Sequence, residues 1–244
     1  MADSILQNRI SHFADARVLV IGDIIIDHFL WGTASRISPE APVPVVNVQR
    51  EDLLLGGSAN VLRNIVSLGG KGALCGIIGD DAMGRKTVEL VEQLGVSTEG
   101  LVVGQRPTTV KTRVVAQGQQ VVRFDREETG LPSRSSLEAL LRYLEGHVHT
   151  FDAVMVSDYA KGVVSEQLMI RLHQLLSAAR IREKRKLPLI VIPSRQTCIV
   201  LSGPRSLPPI ITRRCRWRES GLWMNGAWWL RHAISVTISV VKRS

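Results

Sequence analysis

The sequence predicts an α/β fold, a parallel sheet covered by helices on both faces with a small accessory β sheet. Arg17 to Ile26 reads RVLVIGDIII, the nearly continuous apolar, β-branched run of a strand buried on both faces. Beyond it, strand-like runs alternate with stretches of helical period, which is the pattern of parallel strands joined by helical crossovers. Two stretches, 33–55 and 108–124, break that rhythm and read as strands outside the main sheet.

Arg17 to Ile26 is the first strand. Gly57 to Leu68 follows as a helix with Val61, Ile65 and Leu68 on one side, ended by Gly69-Gly70. Lys71 to Ile78 is the second strand and Ala82 to Leu94 the second helix, with Gly95 as its stop. A helix at Ser135 to Glu145, a strand at Ala153 to Ser157, a helix from Ser165 to about Arg182 and a strand at Leu189 to Ile192 complete the alternation. Outside it, 33–55 holds the proline-spaced PEAPVPVVNV, and 108–124 (TTVKTRVVAQGQQVVRF) forms two β runs about a turn at Gly118.

Composition changes abruptly near Ile192. Residues 193–244 hold nine Lys or Arg against the single acid Glu219, which leaves 22 of the 31 basic and 21 of the 22 acidic residues before them. Four of the five Trp also fall there. The net charge of +9 therefore belongs to the tail and gives no ground for nucleic-acid binding by the first 192 residues. Cys75, Cys198 and Cys215 show neither metal-ligand spacing nor a disulfide framework, as expected of a cytoplasmic protein. No secretory signal or membrane span is expected: Met1 to Ala16 carries Asp3, Arg9, His12 and Asp15, and the apolar stretch 221–241 is interrupted by Arg231 and His232.

Four groups of residues can carry chemistry. Asp23 and Asp27 stand at the end of the first strand, where open parallel sheets bind ligands; Asp27 either accepts hydrogen bonds from sugar hydroxyls or caps a following turn. Gly56-Gly57-Ser58-Ala59-Asn60 opens a helix whose N–H groups can meet an oxygen-rich ligand, with Asn60 either on a hydroxyl or capping the helix. Ser157-Asp158-Tyr159-Ala160-Lys161-Gly162 follows a strand. There Lys161 can stabilise phosphate charge and Asp158 can fix a polyol, or Asp158 starts the helix and Lys161 is solvated. Finally Lys111, Arg113 and Arg123 on the accessory β runs, with Arg36 in the Ser35–Glu40 turn, can meet an anion or can protect an edge strand from aggregation.

Together GDIIIDHFLWG, SRISPEAPVPVV, GGSANVLRNIVSLGG, IIGDDAMG, KTRVVAQGQQVVRFD and SDYAKG resemble the ribokinase-like, PfkB-type carbohydrate kinases in order and spacing, from about Arg17 to Ile192. SRISPEAPVPV and SDYAKG are similar to segments of the D-glycero-β-D-manno-heptose 7-phosphate kinases of lipopolysaccharide core biosynthesis. The resemblance implies a doubly wound α/β sheet with a small β lid, formed here by 33–55 and 108–124, and a homodimer contact through that lid. It implies transfer of the ATP γ-phosphate, with Mg²⁺, to the anomeric hydroxyl of a seven-carbon sugar phosphate. Residue by residue, Asp27 becomes the partner of sugar hydroxyls, and Gly56, Gly57 and Asn60 the sugar-binding turn and helix start. Arg36, Lys111 and Arg113 become lid contacts to the sugar's own phosphate, and Lys161, with Asp158, lies near the transferred phosphate.

The chain departs from that pattern in two ways. Ser58 and Leu62 replace small alanines, so Leu62 is expected to crowd the helix against the sheet. After Ile192 the family's Asp-Pro-Lys, Asn-x-x-Glu and Gly-Ala-Gly-Asp segments are not found: the chain gives Pro193-Ser194-Arg195, its one later Asn is Asn225, and no Asp follows Asp158. No general base and no metal ligand is identifiable. A shifted reading frame near Ile192 accounts for RRCRWR and WMNGAWWLRH; the alternative is a genuine basic, Trp-containing segment for nucleic acid or a membrane surface. The expectation is a kinase part at 1–192 followed by an unrelated basic tail at 193–244, with negligible kinase activity. The alternative function is a catalytically dead sugar-phosphate binder or interaction protein.

Overall fold

The computed structural model of the chain describes residues 13–183 and 187–193. A 3-10 turn, Phe13–Asp15, leads into nine strands and four helices. In chain order these are β1 (Arg17–Gly22), β2 (Ile24–Ile37), β3 (Pro44–Gly56), α1 (Gly57–Ser67), β4 (Lys71–Gly79), α2 (Ala82–Glu92), β5 (Leu101–Gly104), β6 (Thr109–Ala116), β7 (Gln119–Arg126), α3 (Arg134–His147), β8 (Ala153–Ser157), α4 (Glu166–Glu183) and β9 (Leu189–Ile192). Expectations for residues 194–244 lie outside the described residues.

Two sheets form. The first is parallel, in the order β5-β4-β1-β8-β9, so the chain winds outward from the central β1 first one way and then the other. Both its faces are buried because β1 alternates between them. Leu19 and Ile21 join Leu140 and Leu144 of α3 and Leu168 and Leu172 of α4, while Val20 joins Ala59 and Leu62 of α1 and Val91 of α2. The starts of α2 and α3 are capped locally: Asp81 Oδ1 accepts the Gly84 N–H at 2.7 Å, and Ser133 Oγ accepts that of Ser136 at 3.2 Å. The second sheet, β3-β2-β6-β7, is the lid.

The predicted strand Arg17 to Ile26 is two strands. Gly22 has no side chain to hold off the Ser157 carbonyl of β8, and the Asp23 N–H donates to that carbonyl at 3.3 Å. There the chain leaves the main sheet, and from Ile24 it pairs with β3 and β6 in the lid. The lid therefore begins at Ile24 rather than at Thr33, and its second part runs to Arg126 rather than Phe124. The strand β5 was not expected. It is four residues long at the sheet edge, with Val103 exposed, too short for a periodic signal.

Leu62 does not crowd the sheet. It is fully buried over β4, where Gly72 makes room: a Cβ there would stand 2.6 Å from Leu62 Cδ1.

Candidate active site

Where β1 ends, the chain turns into the lid, and the two acids of GDIIID part company. Asp27 enters the lid. In the ladder it stands beside Lys111 of β6, which in turn stands beside Asp125 of β7; the next row on the same face is Phe29, Arg113 and Arg123. Arg113 Nη1 donates to Asp27 Oδ1 at 2.6 Å, with both side chains about three-quarters buried. The Arg113 guanidinium also lies 5.2 Å from the centre of the Phe29 ring. Arg123 forms a fork with Asp125, its Nε donating to Oδ1 at 2.8 Å. That hydrogen bond, with the charges of Arg123, Lys111 and Lys161, holds the Asp125 carboxyl below the usual carboxylate range against a small upward push from burial.

Gly56 and Gly57 sit at the base of this face. A Cβ on Gly56 would stand 2.4 Å from Asp27 Oδ2, and Gly57 has φ +57° with the Asp23 carbonyl 2.4 Å from where its Cβ would be. The pair thus lets the start of α1 approach both acids. Ser58 N–H donates to the Asp23 carbonyl at 2.9 Å, which fastens the helix start to the end of β1. Asn60 does not cap the helix; its Oδ1 accepts from Arg63 Nη2 at 2.6 Å.

The loop after β8 forms another wall. Lys161 Nζ lies 2.6 Å from Glu127 Oε2, just past β7, and both side chains are largely buried. Its carbonyl accepts from Arg106 Nη1 at 2.6 Å. Lys161 is therefore ion-paired rather than solvated. Asp158 does not start a helix: it is buried, and its Oδ1 accepts the Ala160 N–H at 2.7 Å in a turn, while Ser165 Oγ accepts from Leu168 N–H at 3.2 Å at the start of α4.

Asp23 remains in the core with 1 % of its surface exposed and accepts the N–H groups of Tyr159, Lys161 and Val163. Burial pushes its carboxyl above the usual range, the three N–H bonds pull it back, and the Asp158 charge adds to the rise.

The structure thus brings Asp27, Lys111, Arg113, Gly56 and Gly57 to one lid base, with Lys161 close enough for its charge to act on Asp125, while Asn60, one turn into α1, bonds to Arg63 of its own helix. It does not bring Arg36 there. That residue is exposed, nine positions along β2 from Asp27, on the order of 30 Å at about 3.3 Å per residue. Asp158 lies under the loop rather than open to the crevice. Sequence reasoning pairs Asp23 with Asp27 at the end of the first strand but gives it no role of its own, and it misses Arg106 and Glu127.

The profile of the pfkB family carbohydrate kinases matches residues 15–202. The chain belongs to that family. Among curated relatives, the bifunctional protein HldE of Sulfurimonas denitrificans is 44 % identical over 153 residues, 62 % of this chain and 32 % of that protein. HldE of Syntrophotalea carbinolica is 39 % identical over 206 residues, 84 % of this chain and 41 % of that protein. The chain's matches thus span about a third to two fifths of the length of these relatives. Of solved structures, phosphofructokinase-2 from Escherichia coli in complex with fructose-6-phosphate superimposes with a TM-score of 0.51 at 21 % identity, covering 73 % of this chain and 55 % of that one. That likeness shows the ribokinase-like fold. Kinases of the pfkB family use ATP, typically with Mg²⁺. Among the described residues no group of three His, Cys, Asp or Glu could hold a metal ion, and no helix is long and apolar enough to cross a membrane.

Proposed function

We propose that this chain is the sugar-binding part of a cytoplasmic heptose 7-phosphate kinase of lipopolysaccharide core biosynthesis, acting on D-glycero-β-D-manno-heptose 7-phosphate. The observation that carries the reading is the juxtaposition of Asp27 with Lys111 and Arg113 over the Gly56-Gly57 helix start. A carboxylate accepts from sugar hydroxyls, and two cations one row apart suit a phosphate monoester. In this reading Asp27 orients the sugar and exchanges part of its bond with Arg113 for hydroxyl donors, freeing Arg113 for the phosphate. Asn60 supplies a further hydroxyl contact from α1, and Lys161 leaves Glu127 for the transferred phosphate. Asp158 supports the Lys161 loop from beneath and acts on the phosphate only through it.

ATP would supply the phosphoryl group, but among the described residues no metal-holding acid set is identifiable, the sequence after Ile192 offers no Gly-Ala-Gly-Asp base, and no step is assigned to Mg²⁺. Turnover by this chain is accordingly expected to be negligible, and residues 193–244 are read as a basic tail outside the kinase part. The lid's other face carries exposed Val122 and Phe124 in register with Val114 and Thr112, and we assign it to a homodimer contact. Arg36, remote from its own crevice, is assigned to the neighbouring copy's sugar phosphate across that contact.

The second reading, a binder without turnover, rests on the same crevice and the same missing base. Heptose 7-phosphate-dependent ADP release tests turnover: binding with no release is the outcome both readings expect, and release abolished by Asp27→Ala overturns the binder and the expectation of negligible turnover together.

A further inference from the structure

Eight residues, from Asp158 to Ser165, join β8 to α4 outside any ladder or helix, and Ala160 in their midst has φ +57°. A path of this kind leaves backbone N–H groups without neighbouring carbonyls, and buried N–H groups require acceptors. Three of them find one in a single side chain 136 or more positions earlier in the sequence. Asp23 Oδ2 accepts from Tyr159 at 2.8 Å and from Lys161 at 3.1 Å, and Oδ1 accepts from Val163 at 3.0 Å. Alternate N–H groups thus converge on one point, as in backbone nests that hold anions, and here the resident anion is the protein's own carboxylate.

The neighbouring charges complete the arrangement. The Arg106 cation acts on Asp23 while its Nη1 holds the Lys161 carbonyl at 2.6 Å. Lys161 is thereby fixed at its N–H by Asp23, at its carbonyl by Arg106 and at its ammonium by Glu127. Taking a carboxylate out of water is unfavourable, and an apolar residue would fill the same space without that cost. What the apolar residue would not supply is an acceptor for three loop amides.

We propose that Asp23 is a positioning residue: its buried carboxylate sets the backbone of residues 159–163 and so presents Lys161 to the crevice. Its relevance to phosphoryl transfer rests on the reading of Lys161 given above; the positioning itself does not.

Trypsin cuts after Lys161 only when this loop opens, so the rate of that cut, found by mass spectrometry of the full chain, reports loop opening. Asp23→Asn keeps the size but puts an amide N–H₂ against backbone donors, and is expected to speed cleavage after Lys161 about tenfold relative to cleavage after Lys71 and Arg142. Arg106→Gln, which leaves Asp23 in place, is expected to speed it about threefold. An unchanged rate at Lys161 in Asp23→Asn, or an equal increase at all three sites, overturns the proposal. If Asp23→Asn does not fold, hydrogen exchange in the parent chain decides: Tyr159, Lys161 and Val163 amides no better protected than that of Gly118 in the β6–β7 turn overturn the proposal. The reading of Lys161 fails separately, if Lys161→Gln binds inorganic tripolyphosphate as tightly as the parent chain.

Discussion

In the main sheet, β1 buries Leu19, Val20 and Ile21 completely on its two faces, whereas all eight residues of β7 in the lid are exposed. The lid strands are the longer, 8 to 14 residues against 4 to 9 in the main sheet, yet the main sheet is held by apolar clusters on both sides and the lid carries rows of paired charges: Asp27 with Arg113, Arg123 with Asp125, Arg50 with Asp52. Exposed pairs such as Arg50–Asp52 add little to stability, and the partly buried Asp27–Arg113 pair repays its desolvation only in part, so the lid depends on the core for its footing. The two acids of GDIIID mark the boundary, Asp23 buried in the first region and Asp27 opening the second.

Substitutions in the two regions should therefore separate stability from binding. The largest effect is expected from Leu62→Ala, which leaves a cavity over Gly72 and should lower unfolding stability by about 2–5 kcal/mol in urea titrations. An effect under about 1 kcal/mol would mean that α1 does not pack there as described. In the lid, Arg113→Ala should weaken heptose 7-phosphate roughly 10- to 100-fold, as expected for the loss of a charged hydrogen bond, and shift stability by less than about 1 kcal/mol. A large fall in stability with unchanged affinity would reverse the comparison.

Asp81 lies between the regions. It caps α2, accepts from the Thr108 N–H at 3.0 Å and hydroxyl at 2.8 Å, and pairs with Arg126 of β7 at 3.6 Å. Burial alone would raise its carboxyl, but the bonds from Gly84 and Thr108 and the Arg126 charge outweigh it and hold the group below its ordinary 3.8. Its contribution is thus fully present above pH 3.8 and is lost as pH falls through the lower folded value. Asp81→Asn should cost about 1–2 kcal/mol at neutral pH and flatten the acid limb of the stability curve, both read by thermal unfolding from pH 5 to pH 2. The smallest effect is expected at Phe124→Glu, which should leave stability within about 0.5 kcal/mol. It should also shift self-association toward monomer in sedimentation runs.

Much of the core was legible in the sequence because parallel strands read as apolar runs and α1 to α4 carry their own stop and cap residues: Gly69, Asp81, Ser133 and Ser165. The break at Gly22 was not, since RVLVIGDIII keeps its apolar character on both sides of a turn dictated by Ser157 of β8. At the candidate site, period-two alternation puts Lys111 and Arg113 on one face as read from the sequence, whereas the register that sets Asp27 beside Lys111 has no local signature. The hold of Asp23 on 159–163 and the Lys161–Glu127 pair link residues far apart in sequence, and no local pattern encodes such contacts.

Calorimetric titration of the full chain with heptose 7-phosphate, beside Asp27→Ala, tests the lid-base crevice most directly. The account predicts measurable binding to the parent chain, a loss of tenfold or more in Asp27→Ala, and an unfolding midpoint that hardly moves. Equal affinity in the two chains, or no binding to either, would contradict it.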